Sequence, residues 1–152
     1  MGQITSTVDI AAPVQRVWET FSDPYGWPEW IENTVAILSV EGEPLAEGTT
    51  YRERSVVMGP WKSESRWQVT RFQPHSIQVH EGHLSGVGRV VLTVGFEPAD
   101  EGTRFSMALR YDTFLGPLGA LLDRLMINRM MQRSFDRSVL NFKARVEASQ
   151  GS

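Results

Sequence analysis

Apolar and polar residues alternate from the start of the chain, with Ile4, Ser6, Val8 and Ile10 interleaved with Gln3, Thr5, Thr7 and Asp9. This two-residue period predicts a strand over residues 3–10. Pro13 stands where a helix can begin, and Val14, Val17, Trp18 and Phe21 then recur at helical spacing. Ser22-Asp23-Pro24 ends that helix, because proline disfavours helical geometry in the residue before it. The aromatic-rich segment Tyr25 to Ile31 predicts one or two helical turns. From Val35 the period returns to two, giving strands near 35–41, 49–57, 62–72, 76–81, 88–97 and 103–111. Their separators are turn-like: Gly42-Glu43-Pro44, Gly59-Pro60, Gln73-Pro74, Gly82 and Pro98 to Gly102. Such short links predict antiparallel neighbours in a meander.

The last third changes period again. Leu118, Leu121, Leu122, Leu125, Phe135, Val139, Phe142 and Val146 draw one apolar stripe on a helix over about residues 118–147. A helix of that length is about 45 Å long and must rest along something equally extended. The strands are the only candidate. The expected fold is therefore α+β, a curved antiparallel sheet of about seven strands wrapped around a long C-terminal helix. One domain over residues 1–148 is expected, with a loose tail at 149–152.

Side-chain alternation also predicts which sheet face looks at that helix. Val90, Leu92, Val94 and Phe96 share a face, as do Phe105, Met107, Leu109 and Tyr111, and these faces should turn inward. Arg52, Arg54, Glu64 and Arg66 make an outer charged face on two earlier strands, which turns Tyr51, Glu53, Ser55, Ser63, Ser65 and Trp67 inward. The inner face is then apolar at one end and polar-aromatic at the other, the composition of a ligand pocket more than of a filled core.

Fifteen Lys and Arg against eighteen Asp and Glu leave a net charge of −3, which gives no general reason to expect nucleic-acid binding. With no cysteine, the chain has no disulfide, thiolate nucleophile or cysteine-held metal. No run approaches the roughly 20 apolar residues of a membrane span, and the N-terminus lacks signal-peptide character, so a cytoplasmic protein without integral membrane association is expected.

Among chemistry-bearing residues, His80-Glu81-x-His83 is the one metal-like spacing, yet positions three apart on a strand face opposite ways. These histidines read as polar residues at a strand end, with His80 or His83 a candidate proton carrier at a cavity mouth, and no metal is expected. A carboxyl facing an apolar cavity has its pKa raised, so Glu53 is the candidate general acid or base, with Tyr51 beside it. Trp18 shares a stripe with Val14 and Phe21 and belongs to the core, whereas Trp30 and Trp67 are candidates for stacking on a ligand. Asn128 interrupts the apolar stripe and needs a partner in protein, water or ligand. Gly86-x-Gly88 leads into a strand and opens no helix, so it is not a dinucleotide loop. The arginines of the final helix are diluted by Asp123, Asp136 and Glu147 and read as a solvated face.

Taken in order, Asp9-Ile10-Ala11-Ala12-Pro13-Val14, Val17-Trp18, Phe21-Ser22-Asp23 and Trp27-Pro28-Glu29-Trp30 resemble the opening of the START-related helix-grip (SRPBCC) superfamily. Gly48-Thr49-Thr50-Tyr51-Arg52, Phe96-Glu97-Pro98 with Gly102-Thr103-Arg104, and Leu115-Gly116 continue the likeness, most closely to the bacterial polyketide cyclase/dehydrase branch. The resemblance implies an apolar cavity between sheet and long helix. The expected function is binding of a hydrophobic, aromatic or polyketide-like small molecule, without cofactor. The alternatives are an aromatase/cyclase using acid/base residues in the same cavity, and a noncatalytic protein-interaction domain. The expected lining is Trp30, Tyr51, Ser55, Ser65, Trp67, Val79, Leu92, Met107, Leu122, Leu125 and Asn128. A homodimer through a sheet edge is a further expectation.

Overall fold

The structure is a computed structural model that describes residues 2–56, 62–84, 88–111, 126 and 128–150. Its elements follow the predicted order: β1 (Gly2–Ile10), α1 (Val14–Phe21), a 3-10 helix (Pro24–Glu29), then β2 (Thr34–Glu41) and β3 (Thr50–Val56). β4 (Lys62–Gln73), β5 (Ile77–Leu84), β6 (Gly88–Ala99), β7 (Gly102–Tyr111) and α2 (Asn128–Gln150) complete it. All seven strands form one antiparallel sheet in the order β1-β7-β6-β5-β4-β3-β2, a meander that β1 closes by pairing with the last strand. The first part of the predicted long helix, including Leu122 and Leu125, lies outside the described residues, as does Trp61.

Local chemistry accounts for the boundaries. Pro13 occupies the N-cap of α1, and Ser22 ends it through a bond from its N–H to the Trp18 carbonyl. Asp23 then caps the 3-10 helix, its carboxylate accepting from the Tyr25 N–H, with Pro24 in the first position. Gly82 does not end β5, as its turn-like character suggested. The strand runs on to Leu84, and Gly82 lies beneath the Trp67 ring, where a Cβ would come within 2.5 Å of ring carbon. The C-terminal helix runs past the expected residue 147 to Gln150, and the Ser149 hydroxyl donates to the Val146 carbonyl and accepts from Arg16.

α2 runs in the same direction as β1 and is tied to it by side chains. Asn128 donates to the Gln3 carbonyl, Gln132 to that of Thr5 and Lys143 to that of Asp9, while the Ala11 N–H donates to Glu147. Twenty-three helical residues rise about 34 Å, close to the length of a nine-residue strand, so the two stay in step. β1 is an edge strand, and these bonds occupy backbone groups that an edge otherwise leaves open. Beneath α2, Phe135, Val139, Phe142 and Val146 meet Ile4, Phe105, Met107 and Leu109 in the core. Among the described residues, no helix is long and apolar enough to cross a membrane.

Candidate functional site

The register between β3 and β4 pairs Tyr51 with Trp67, Glu53 with Ser65 and Ser55 with Ser63, with no bulge between them. Arg52, Arg54 and Glu64 face outward, where both arginines bond Glu64. Their neighbours therefore turn inward: Tyr51, Ser55, Ser65 and Trp67 are buried, and Glu53 and Ser63 are partly buried. Thr34, at the start of β2, joins the patch by donating to Glu53 Oε2 at 2.9 Å. The Tyr51 and Trp67 rings lie almost parallel, with interplanar angle 4° and centroids 6.3 Å apart. The Trp67 indole donates to Ser65 Oγ at 2.9 Å.

Behind this patch runs a hydrogen-bonded chain of polar side chains. Gln78 donates its amide to Ser22 Oγ at 3.0 Å, so its carbonyl oxygen accepts from His80 Nε2, also at 3.0 Å. His80 Nδ1 is then the acceptor, and the Tyr51 hydroxyl donates to it at 2.7 Å. His80 is fully buried, and burial pushes its imidazole down to about 3, so the ring stays neutral, as this bonding requires. Burial, with the neighbouring Glu53 charge, drives the Tyr51 phenol well above its ordinary range. Its proton is committed to His80, which leaves its oxygen lone pairs for other contacts. Burial also raises the Glu53 carboxyl to about 7, against the Thr34 hydrogen bond, which favours the ionised form.

Two buried polar atoms have no hydrogen-bond partner among the described residues: Ser55 Oγ and Trp30 Nε1. Their residues are 4% and 2% exposed, so bulk water does not serve them. Trp30 lies in the aromatic layer under α2, its ring centroid 4.5 Å from that of Phe142.

Several expected lining residues are placed differently. Val79 faces away from the inner surface, with Ile77, Glu81 and His83, because β5 turns Gln78, His80, Gly82 and Leu84 inward. Its apolar character is misleading, since here the inner parity carries the polar residues. Asn128 finds protein partners, the Gln3 carbonyl at 3.2 Å and the Tyr111 hydroxyl at 3.4 Å. Met107 is buried and Leu92 partly buried on the inner face, where Leu92 stands directly opposite His80 on β5. His80 sits in the middle of the inner face, not at a mouth, and His83 is exposed on the opposite face, so the two do not converge. Trp18 packs edge-on to Phe72 and Phe96, as its stripe predicts. Sequence reasoning missed Thr34 and Gln78; Trp27, one of the tryptophans able to stack on a ligand, donates its indole N–H to the Phe21 carbonyl and packs edge-on against Tyr51 and His80. The two-residue spacing of Gln78 and His80 was the available signal.

A seven-stranded antiparallel sheet gripping a C-terminal helix, with two short helices between the first two strands, defines the helix-grip class. The chain belongs to the polyketide cyclase/dehydrase and lipid transport family, whose model matches residues 1–147. It is 24% identical over 124 residues to Toxin Rv0910 of Mycobacterium tuberculosis, spanning 80% of this chain and 85% of that protein. Among solved structures it resembles TTHA0849 from Thermus thermophilus, with TM-score 0.76 and 22% identity over 97% of this chain and 99% of that one. DynU16, from the dynemicin biosynthetic locus, superposes with TM-score 0.68 and 16% identity over 97% of this chain and 48% of its own. At these identities the structural likeness carries the fold alone.

Proposed function

We propose that this protein binds a hydrophobic, aromatic or polyketide-like small molecule between the sheet and the C-terminal helix. The observation that carries this reading is the split inner face. One half is packed with phenylalanines under α2, and the other presents parallel Tyr51 and Trp67 rings, hydroxyls and a carboxyl, with the Ser55 hydroxyl buried and unpartnered. A buried hydroxyl without a partner among the described residues calls for an explanation, and a ligand group supplies one. The family's association with polyketide and lipid ligands, and the biosynthetic locus of DynU16, support the same class of ligand. The test is native mass spectrometry of the protein purified from its own host. A retained apolar mass of stoichiometric amount is expected; an apo mass together with no uptake of 8-anilinonaphthalene-1-sulfonate rejects the reading.

One observation favours a second reading, an aromatase/cyclase. A carboxyl raised to about 7 at the edge of such a pocket suits proton transfer in aldol closure and dehydration, where acid and base forms are both needed near neutrality. In that case Glu53→Gln abolishes turnover while leaving the fold intact, and unchanged turnover eliminates Glu53 as the acid/base.

A further inference from the structure

We propose that Glu53 and Ser55 form a subsite that recognises a hydroxyl group carried on an aromatic ring. This rests on the ligand-binding reading above and adds the polar chemistry of the ligand and the end of the pocket that takes it. Ser55 is buried with an unpartnered hydroxyl. Glu53, two residues earlier on the same strand, points to the same face, with one carboxyl oxygen bonded to Thr34. Directly opposite them on β4 stand Ser63 and Ser65, and same-face neighbours on paired strands lie about 5 Å apart. Ser65 already accepts from Trp67.

A hydroxyl is the group that answers this arrangement. It is one donor and two acceptor lone pairs, so it can give its proton to the Glu53 carboxylate and accept from Ser55. With Glu53 ionised, as it is above about pH 7, a carbonyl answers only Ser55 and leaves the carboxylate oxygen unmatched. A carboxylate on the ligand meets Glu53 as a like charge. An ammonium must surrender its hydration in surroundings that already disfavour charge, as the raised carboxyl indicates. The neighbouring Tyr51 and Trp67 rings give the ligand's own ring an aromatic surface beside the patch.

The test is equilibrium dialysis of the full chain against 2-naphthol and 2-methylnaphthalene, which differ in the hydroxyl. Wild type is expected to hold 2-naphthol about tenfold more tightly, the scale of one charge-assisted hydrogen bond. Ser55→Ala and Glu53→Gln should each cut that preference to about twofold by weakening 2-naphthol alone, with 2-methylnaphthalene affinity and the circular dichroism spectrum unchanged. Equal binding of the two probes by wild type, or a preference that survives both substitutions, overturns the subsite and leaves the pocket standing. Failure of both probes to bind overturns the pocket and the subsite together.

Discussion

Under α2 the inner sheet face is closed by rings: Phe142 lies 4.5 Å, centroid to centroid, from both Phe105 and Trp30, and Phe21 packs against the same layer. Over β3 and β4 the same face carries Glu53, Ser55, Ser63 and Ser65 to one side of the paired Tyr51 and Trp67 rings. Both regions are built on strands of one sheet with the same alternation, so backbone geometry does not distinguish them. The difference lies in what each asks of its surroundings. The phenylalanines gain by excluding water, whereas the hydroxyls and carboxyl lose hydration and must be compensated by specific partners. Thr34, His80 and Gln78 provide part of that compensation, and the Ser55 hydroxyl finds none among the described residues.

The strongest challenge to this division is Phe142→Ala. Removing a fully buried ring from the closed region should cost about 3–5 kcal/mol in urea denaturation. A loss below about 1 kcal/mol would mean that the aromatic layer is not the mechanical core.

Next in size is the pH dependence. Between pH 4.5 and about 7 the folded protein holds a proton on Glu53 that the unfolded chain has released, so raising the pH through that window favours unfolding. Below about pH 6.5 the unfolded chain protonates His80, which the folded protein keeps neutral down to about 3, so lowering the pH favours unfolding. The two slopes oppose one another between about pH 4.5 and 6.5, leaving a stability plateau there. Above it Glu53 accounts for a further decline of only about 1 kcal/mol, ending near pH 7. In Glu53→Gln the His80 slope stands unopposed, so melting curves from pH 4 to 9 should show the wild-type plateau replaced by a loss of up to about 3 kcal/mol from pH 6.5 down to 4.5. A plateau retained in the variant would assign it to other groups.

The smallest effect should carry the opposite sign. Ser55→Ala removes an unpartnered buried hydroxyl, so stability should stay level or rise by up to about 1 kcal/mol in the same denaturation assay. Destabilisation beyond about 1 kcal/mol would show that the protein itself satisfies Ser55.

Much of this division can be read in the residues. The alternation of Val90, Leu92, Val94 and Phe96 marked the apolar inner face, and the outward Arg52, Arg54 and Glu64 set the parity of Tyr51, Glu53 and Ser55. The likeness in residues 9–30 pointed to the fold, which the seven-stranded sheet bears out. The sequence misled at β5. Ile77 and Val79 look like the inner set, but pairing with β4 turns Gln78 and His80 inward, and a bulge between Val69 and Arg71 resets β4 so that Phe72 faces Trp18. Burial of a polar pair is decided by partners brought from elsewhere in the chain, Tyr51 and Ser22, and hydrophobic periodicity contains no term for them. Thr34 escaped notice for the same reason, since its value depends on a carboxyl nineteen positions away.

The side-chain ladder from α2 onto β1 has a consequence for synthesis. β1 is made before the other strands of its sheet and can find its strand partner only once β7 has been translated, and its helix only after that, since Ile4 pairs with Leu109 and the Thr5 carbonyl waits for Gln132. A nascent or truncated chain ending before residue 128 would display the alternating apolar strand Ile4-Thr5-Ser6-Thr7-Val8 with its edge unguarded. Loss of the last helix should therefore appear first as aggregation during expression rather than as a lowered melting temperature. The C-terminal segment acts in this sense as a chaperone carried within the chain for its own first strand.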